Sequence, residues 1–256
     1  MIHPEYATLH SKDTELRAQL NIKLMSYIKD YKVNEWTIPS LIDGDVLERC
    51  GYFSTIPNQL TKIGTLDLDK IDLHAKDNDC NGFISSSNLY LTPAACIHFY
   101  PMLETENKYN EIITTMARVY RYEDGAFVYN ERQWEFSVRE FVAVGSIEYV
   151  QNFLEDMKSK LLEYAQQFTD KSYLKVAHDH FYPSKKNALK EKFQEKNKLK
   201  TELVADINGK NVSIASFNFH GYHFSKEFNF DSNGNVVSGC VGCGIDRWLE
   251  LIHSKN

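Results

Sequence analysis

Residues Met116–Gly145 read MARVYRYEDGAFVYNERQWEFSVREFVAVG. Two alternating runs flank a polar loop containing Asp124-Gly125, the pattern of a β-hairpin. Side chains two apart in a strand share a face. On the first run Val119, Arg121 and Glu123 share one; on the second, Trp134, Phe136, Val138, Glu140, Val142 and Val144 share one. The second set is an apolar face with a single carboxylate in it. A buried charge is costly unless a cation, a metal or hydrogen bonds compensate it. Glu140 therefore requires a partner.

Around this hairpin the chain has the size of one large domain, residues 1–256, with ample sequence for a core. Hydrophobic residues make up 43% and charged residues 25%, and the net charge of −6 argues against a protein that binds nucleic acid over its whole surface. The start, MIHPEYATLHSKDTELR, has no apolar core of a signal peptide, and no apolar run is long enough to span a bilayer. No membrane association is expected, and a cytoplasmic location is. Cys50, Cys80, Cys96, Cys240 and Cys243 are scattered and odd in number, which favours reduced thiols, metal ligation or burial over a disulfide framework.

Leu16, Leu20, Leu24 and Ile28 predict a helix over 12–29, capped by Ser11 or Asp13. Trp36–Ser40 reads as loop and Leu41–Arg49 as a short helix. Residues 65–84 are rich in aspartate but lack the offsets of a calcium loop, so they read as solvated loop and strand edge. Leu89–Leu91 is strand-like, and Thr92-Pro93 starts a helix carrying Cys96, His98 and Tyr100. After the hairpin, Val150, Leu154, Met157, Leu161, Tyr164 and Phe168 step by four and three, an amphipathic helix. A second helix is expected over 184–203, with Leu189, Phe193, Leu199 and Leu203 as its apolar side. Lys185, Lys186, Lys190, Lys192, Lys196, Lys198 and Lys200 make it the basic segment of an acidic chain. That face is either solvated or a partner surface. Strands are expected at Val212–His220, Phe224–Phe230 and Val236–Cys243, then a C-terminal helix from about Gly244 with Trp248, Leu249 and Ile252 inward. Strands grouped as hairpins with helices between groups predict an α+β fold with an antiparallel sheet flanked by helices.

Gly242 and Gly244 lie at the last strand-to-helix junction, where the backbone admits close approach of a ligand, and Arg247 follows in the first helical turn. Cys240 and Cys243 spell C-x-x-C, but residues three apart in a strand face opposite ways, which argues against a shared knuckle. Cys96, Glu140 and Cys240 would together make a zinc site with an open fourth position. Ligands so distant in sequence leave no spacing pattern, and the alternative is two cysteines that simply fill core space. On the hairpin, Arg121 is placed for a phosphate, Glu123 for an adenine amino group, Arg132 for terminal phosphates and Phe136 to stack under a base. The alternative is a hairpin with surface ion pairs.

These residues resemble a known family. Arg121-Tyr122-Glu123, a loop and Arg132-x-x-Glu135-Phe136 resemble motif 2 of class II aminoacyl-tRNA synthetases, and Gly242-x-Gly244-x-x-Arg247 resembles their motif 3. Thr92-Pro93-Ala94-Ala95-Cys96, Arg139-Glu140-Phe141-Val142 and Ser238-Gly239-Cys240-Val241-Gly242 are similar to the zinc-dependent branch. That branch holds methanogen-type seryl-tRNA synthetases and the amino acid:[carrier protein] ligases. The resemblance covers about residues 40–256, leaving 1–40 as a helical extension and 146–203 as a helical insertion between motifs 2 and 3.

The resemblance implies a homodimer and ATP held by Arg121 and Arg247 with Phe136 on adenine. It further implies Zn2+ on Cys96, Glu140 and Cys240, with its open position taking the amine of a small amino acid. Ser216, Asn218, His220 and His223 fall where the family's substrate pocket lies. If Ser216 is the family's serine before motif 3, the usual Mg2+-binding glutamate is replaced by Ser213, and Glu202 is a substitute. The short segment before residue 40 makes tRNA an improbable partner and favours carrier-protein ligation. The insertion would then dock an acidic phosphopantetheinylated carrier protein. The rivals are a minimal tRNA-charging synthetase and a non-catalytic binding protein of the same fold.

Overall fold

The computed structural model describes residues 11–70, 72, 82–106, 109–122, 133–179, 181–231 and 234–255. In chain order come helix α1 (Ser11–Ser26), strands β1 (Val33–Glu35) and β2 (Leu41–Asp43), helices α2 (Gly44–Arg49) and α3 (Tyr52–Thr55), and strands β3 (Lys62–Leu66) and β4 (Ile84–Leu91). A 3-10 turn, Cys96–His98, runs directly into α4 (Phe99–Leu103). Then follow β5 (Glu111–Tyr120), β6 (Glu135–Gly145), α5 (Ile147–Gln166), β7 (Ser172–Ala177), α6 (Lys185–Lys196), β8 (Lys200–Ile207), β9 (Lys210–Gly221), α7 (His223–Glu227), β10 (Val237–Gly244) and α8 (Ile245–His253).

The hairpin supplies the second and third strands of a seven-stranded sheet, ordered β1-β5-β6-β10-β9-β8-β7, and β2-β4-β3 form a second sheet. Strands β5 and β6 pair from Glu111↔Val144 to Tyr120↔Glu135. The main sheet is antiparallel except at one edge, where β1 runs parallel to β5. Arg121 and Trp134 sit just past the ladder, joined by a backbone bond from Arg121 N–H to the Trp134 carbonyl, 2.8 Å.

Strand alternation splits the sheet's two faces as the sequence implied. Phe141, Ala143, Val241 and Cys243 pack on one side against α1, α5 and α8, while Val142, Val144 and Cys240 pack on the other with residues of α2, α4 and α7. Helix α5 is capped by Ser146, whose side chain accepts from the Tyr149 N–H, and it buries Val150, Phe153, Leu154, Met157, Leu161 and Ala165. Each large apolar side chain so buried contributes roughly 1.5–3 kcal/mol, so docking on the sheet rather than helix propensity fixes α5. Also on this side, Arg139 is only 1% exposed. It donates to Asn21 Oδ1 (2.8 Å), Glu35 Oε1 (2.8 Å) and Thr114 Oγ1 (3.3 Å), tying α1, β1 and β5 to β6.

Several local expectations change. Leu41–Asp43 is a strand, and the helix begins only after Asp43, whose side chain accepts from Asp45 N–H as its cap. The helix expected over 184–203 ends at Lys196; Lys198 takes a left-handed backbone (φ 51°), and Leu203 enters the sheet core on β8. Leu189 and Phe193 do not face inward: they are 69% and 61% exposed, and Asn187 is the buried residue of α6. Segment 146–203 thus holds two helices together with strand β7 and the start of β8. Phe224–Phe230 is not a strand. Gly221 turns left-handed (φ 57°), ending β9, and Phe224 and Phe228 then reach the core at helical spacing from α7. The loop at Asp124-Gly125 and the residues Cys80 and Asn233 lie outside the described residues.

Candidate active site: a ladder row and a metal centre

Directly paired residues in a sheet project to the same face. The register places Thr115 opposite Glu140, Glu140 opposite Gly242, Gly242 opposite Ser216, and Ser216 opposite Glu202. One row thus crosses five strands. The next row runs Val142, Cys240, Asn218, Lys200. Both rows lie on the face away from α5.

Cys96 reaches this face from the 3-10 turn. A ligand atom from each of Cys96, Glu140 and Cys240 lies within 4.8 Å of the other two, the one such cluster among the described residues. Glu140 is 6% exposed. Burial raises its carboxyl to about 7, opposed by a hydrogen bond from Cys240 and by the charge of Arg121. Hydrogen bonding with Cys96, then burial, then the Glu140 charge push the Cys240 thiol well above its usual range. Asn218 Nδ2 lies 3.4 Å from Cys240 Sγ and donates to it. A costly buried carboxylate beside the sulfurs of Cys96 and Cys240 is the environment a divalent cation would relieve. Two sulfurs and one oxygen with a fourth position open suit catalytic-type zinc. The residues fit the metal.

Beside this centre is a cleft lined by Arg121, Phe136, Val138, Ser213, Ser216, Gly242, Gly244, Asp246 and Arg247. The Arg121 guanidinium stands 5.3 Å from the Phe136 ring centroid, and its Nε donates to the Pro93 carbonyl at 2.9 Å. Arg247 Nη1 donates to the Ser213 carbonyl at 2.7 Å. Asp246 Oδ2 accepts from the Ser137 N–H at 2.6 Å, and burial raises its carboxyl. Gly242 keeps the floor low: a Cβ there would lie 3.0 Å from Glu140 Oε2 and 3.4 Å from Ser216 Oγ. An aromatic ring and two guanidiniums in one cleft suit a flat base joined to phosphates. Glu123 and Arg132 lie outside the described residues.

Other sequence candidates separate. Glu202 is on the row, with its carboxylate 3.5 Å from the Lys200 ammonium. His220 lies deeper, its Nδ1 at 3.2 Å from Tyr100 Oη and 3.1 Å from Ser238 Oγ, and burial lowers it to about 3, so it is neutral. His223 is off the sheet, exposed at the start of α7, where a strand was expected. The sequence placed Tyr100 beside Cys96 but gave it no role; it is fully buried and stacked on Phe224 at 3.8 Å. Sequence reasoning passed over Asp179, which accepts from Lys200 (2.7 Å) and from Gln194 of α6 (2.9 Å). Burial alone would raise the Asp179 carboxyl; Lys200 and these hydrogen bonds outweigh it and lower it. A buried tyrosine in an aromatic run gave no signal, and Asp179 belongs to a loop whose partner helix ends elsewhere than expected.

No family model matches the chain. Among curated proteins it is 27% identical over 222 residues to amino acid–[acyl-carrier-protein] ligase 1 of Bradyrhizobium diazoefficiens, covering 82% of this chain and 67% of that one. It is 33% identical over 175 residues to the type-2 serine–tRNA ligase of Methanocaldococcus jannaschii, covering 62% of this chain and 33% of that one. Among solved structures, M. kandleri SerRS in complex with A. aeolicus tRNASec superposes with a TM-score of 0.75 at 20% identity, covering 93% of this chain and 52% of that one. The chain is similar in sequence to class II synthetase-like ligases and shares their fold. Giardia lamblia prolyl-tRNA synthetase, solved with prolyl-adenylate, shares the fold at a TM-score of 0.65 and 12% identity, covering 95% of this chain and 46% of that one. The chain spans about two thirds of the carrier-protein ligases and about a third of the M. jannaschii tRNA ligase. No helix among the described residues is long and apolar enough to cross a membrane.

Proposed function

We propose that this class II synthetase-like ligase uses ATP to activate a small amino acid and passes it to the phosphopantetheine thiol of an acidic carrier protein. The observation that carries the reading is the cluster of Cys96, Glu140 and Cys240 within 4.8 Å, beside a cleft walled by Arg121, Phe136 and Arg247.

In the first step a carboxylate oxygen of the amino acid attacks the α-phosphorus of ATP. The bond to the bridging oxygen breaks, pyrophosphate leaves and an aminoacyl adenylate remains. Phe136 stacks on the adenine, and Arg121 and Arg247 take up charge on the phosphates, so catalysis is chiefly positioning and electrostatics. Zinc held by Cys96, Glu140 and Cys240 would bind and orient the amine of the amino acid. Ser216 and Asn218, adjoining this centre in the two rows, line the substrate side, with His220 behind them; His223, off the sheet, takes no part in this reading. Mg2+ is expected with the ATP phosphates. With Ser213 at the usual glutamate position, Glu202, whose carboxylate stands 3.5 Å from the Lys200 ammonium, is the substitute ligand. In the second step the carrier thiolate attacks the acyl carbon, AMP leaves and a thioester forms.

The docking surface we assign to the carrier is α6. Its outward Leu189 and Phe193 lie among Lys185, Lys186, Lys190, Lys192 and Lys196, apolar anchors in a basic field suited to an acidic partner. A homodimer is the expected assembly.

Amino-acid-dependent exchange of pyrophosphate into ATP tests the core of the proposal. Cys240→Ala should lose both bound zinc and exchange; full exchange in zinc-free protein would refute the assignment. The relatedness to type-2 serine–tRNA ligases favours a second reading, aminoacylation of tRNA. Transfer of labelled amino acid to total tRNA, falling steeply with salt, would select it.

A further inference from the structure

Two threonines follow one another on β5 and face opposite sides of the sheet. Thr114 is fully engaged: its Oγ1 donates to the Glu140 carbonyl at 2.6 Å and accepts from Arg139 at 3.3 Å. Thr115 is equally buried, at 0% exposure, yet its Oγ1 has no hydrogen-bond partner among the described residues. Burying a hydroxyl without a partner costs free energy that valine, of the same shape, would avoid. The flanking residues on that face, Ile113 and Ala117, are apolar. The cross-strand neighbour is Glu140.

We propose that Thr115 is a positioning residue for Glu140, its hydroxyl donating to the Glu140 carboxylate when the Cys96–Glu140–Cys240 centre holds its metal. The proposal rests on the metal-centre reading above. Directly opposed antiparallel side chains have Cβ atoms about 4.5–5.5 Å apart, close enough for a hydroxyl to meet a carboxylate. Glu140 Oε2 leans toward Gly242 on the other side, so a Cβ at Gly242 would lie 3.0 Å from it. A carboxylate accepts several hydrogen bonds, and one that ligates a metal is oriented by the groups that bond its remaining lone pairs. A metal-bound cysteine is a thiolate and donates nothing. Thr115, directly opposite Glu140, supplies a donor for one of those lone pairs.

The test measures zinc affinity by chelator competition for the wild type, Thr115→Val and Thr115→Ser, with thermal unfolding of the zinc-stripped proteins alongside. Thr115→Val should bind zinc roughly 10- to 100-fold more weakly. Thr115→Ser, which keeps the hydroxyl, should stay close to the wild type. The stripped valine variant should melt no lower than the wild type, because it loses a group with no partner. A merely structural threonine would give the reverse pattern, lower melting with unchanged zinc affinity, and that result overturns the proposal. Should the valine variant not fold, Thr115→Ala carries the same expectation for zinc. A wild type that binds no zinc removes the metal-centre reading and this inference with it. Unchanged zinc affinity in the variant of a zinc-binding wild type removes this inference alone.

Discussion

Gly239 and Gly242 stand three apart on β10, face opposite sides of the sheet, and should respond to alanine in opposite ways. At Gly239 a Cβ would lie 2.8 Å from Val150 Cγ1, 2.9 Å from the Asn218 carbonyl oxygen and 3.2 Å from Leu154 Cδ1. A backbone oxygen and a packed helix cannot retreat easily. Overpacking costs about 1–3 kcal/mol, and relief from glycine's entropy in a strand returns about 0.5–1 kcal/mol. Gly239→Ala should therefore lose roughly 1–2 kcal/mol, a fall in melting temperature of about 2–8 °C for a chain of this size. At Gly242 the neighbours are the ends of two side chains, Glu140 Oε2 at 3.0 Å and Ser216 Oγ at 3.4 Å, and both can shift by tenths of an ångström. The same two terms nearly cancel, and stability should stay within about 1 kcal/mol of the wild type. The methyl nevertheless displaces the Glu140 carboxylate and raises the cleft floor. A misplacement of about 1 Å costs on the order of 100-fold in rate, so a shift of a few tenths should slow exchange by roughly 2- to 5-fold. Thermal denaturation and pyrophosphate exchange on both variants form the assay. If Gly242→Ala exchanges at the wild-type rate, or if the two variants lose stability equally, the assignment of faces is refuted.

Acid should destabilise the protein in part through His220. Burial, then the nearby His223, holds it near about 3, while the unfolded residue titrates near 6.5. Between those values the unfolded chain binds a proton that the folded chain refuses, so this contribution to stability is present above about 6.5 and shrinks as pH falls. From 6.5 to 4.5 the loss is roughly 2–3 kcal/mol. His220→Gln should flatten that part of the pH–stability curve, and an unchanged curve in urea titrations would refute it. On α6, the double variant Leu189→Asp, Phe193→Asp should leave amino-acid-dependent exchange intact and weaken transfer to an acidic carrier at least 10-fold, consistent with loss of two apolar anchors. Equal transfer rates in a thioester assay would remove α6 from the docking surface.

The centre of the fold was legible because its rule is short. Alternation alone put Phe136, Val138, Glu140 and Val142 on one face and separated Cys240 from Cys243, and the register bears both out. The two long elements, the hairpin and α5, each carry many repeats of their period. Errors fell where a segment is short or ends on a backbone conformation rather than a side-chain pattern. The left-handed Lys198 follows the end of α6 without breaking the apolar spacing of Leu189, Phe193, Leu199 and Leu203, and the left-handed Gly221 ends β9 about where expected but leads into a helix, not a strand. Leu189 and Phe193 kept helical spacing yet point outward, because spacing fixes which residues share a side and not which side is covered. Thr115 was invisible for a different reason. An orphaned hydroxyl is defined by what surrounds it, and only the pairing with Glu140 gives it a role.

The two halves of the site are also joined by a contact that neither half predicts. Cys96 comes from a short 3-10 turn, too brief to hold its position through its own hydrogen bonds. That turn is anchored from outside. Tyr120 N–H donates to the Thr92 carbonyl at 2.8 Å, Thr92 N–H to the Ser40 carbonyl at 2.9 Å, and Arg121 Nε to the Pro93 carbonyl at 2.9 Å. Arginine offers five donors in a planar fork, and here Nε holds the Pro93 carbonyl of the segment that carries Cys96 while the guanidinium stands over the Phe136 ring in the cleft. A charge arriving on that guanidinium therefore acts on a side chain that also braces Cys96. Lysine at this position would keep the positive charge but give up the fork, with one ammonium to serve both partners. The requirement for arginine at the end of β5 thus has a source in the fold itself, the Nε bond to the Pro93 carbonyl, besides the proposed contact with a phosphate.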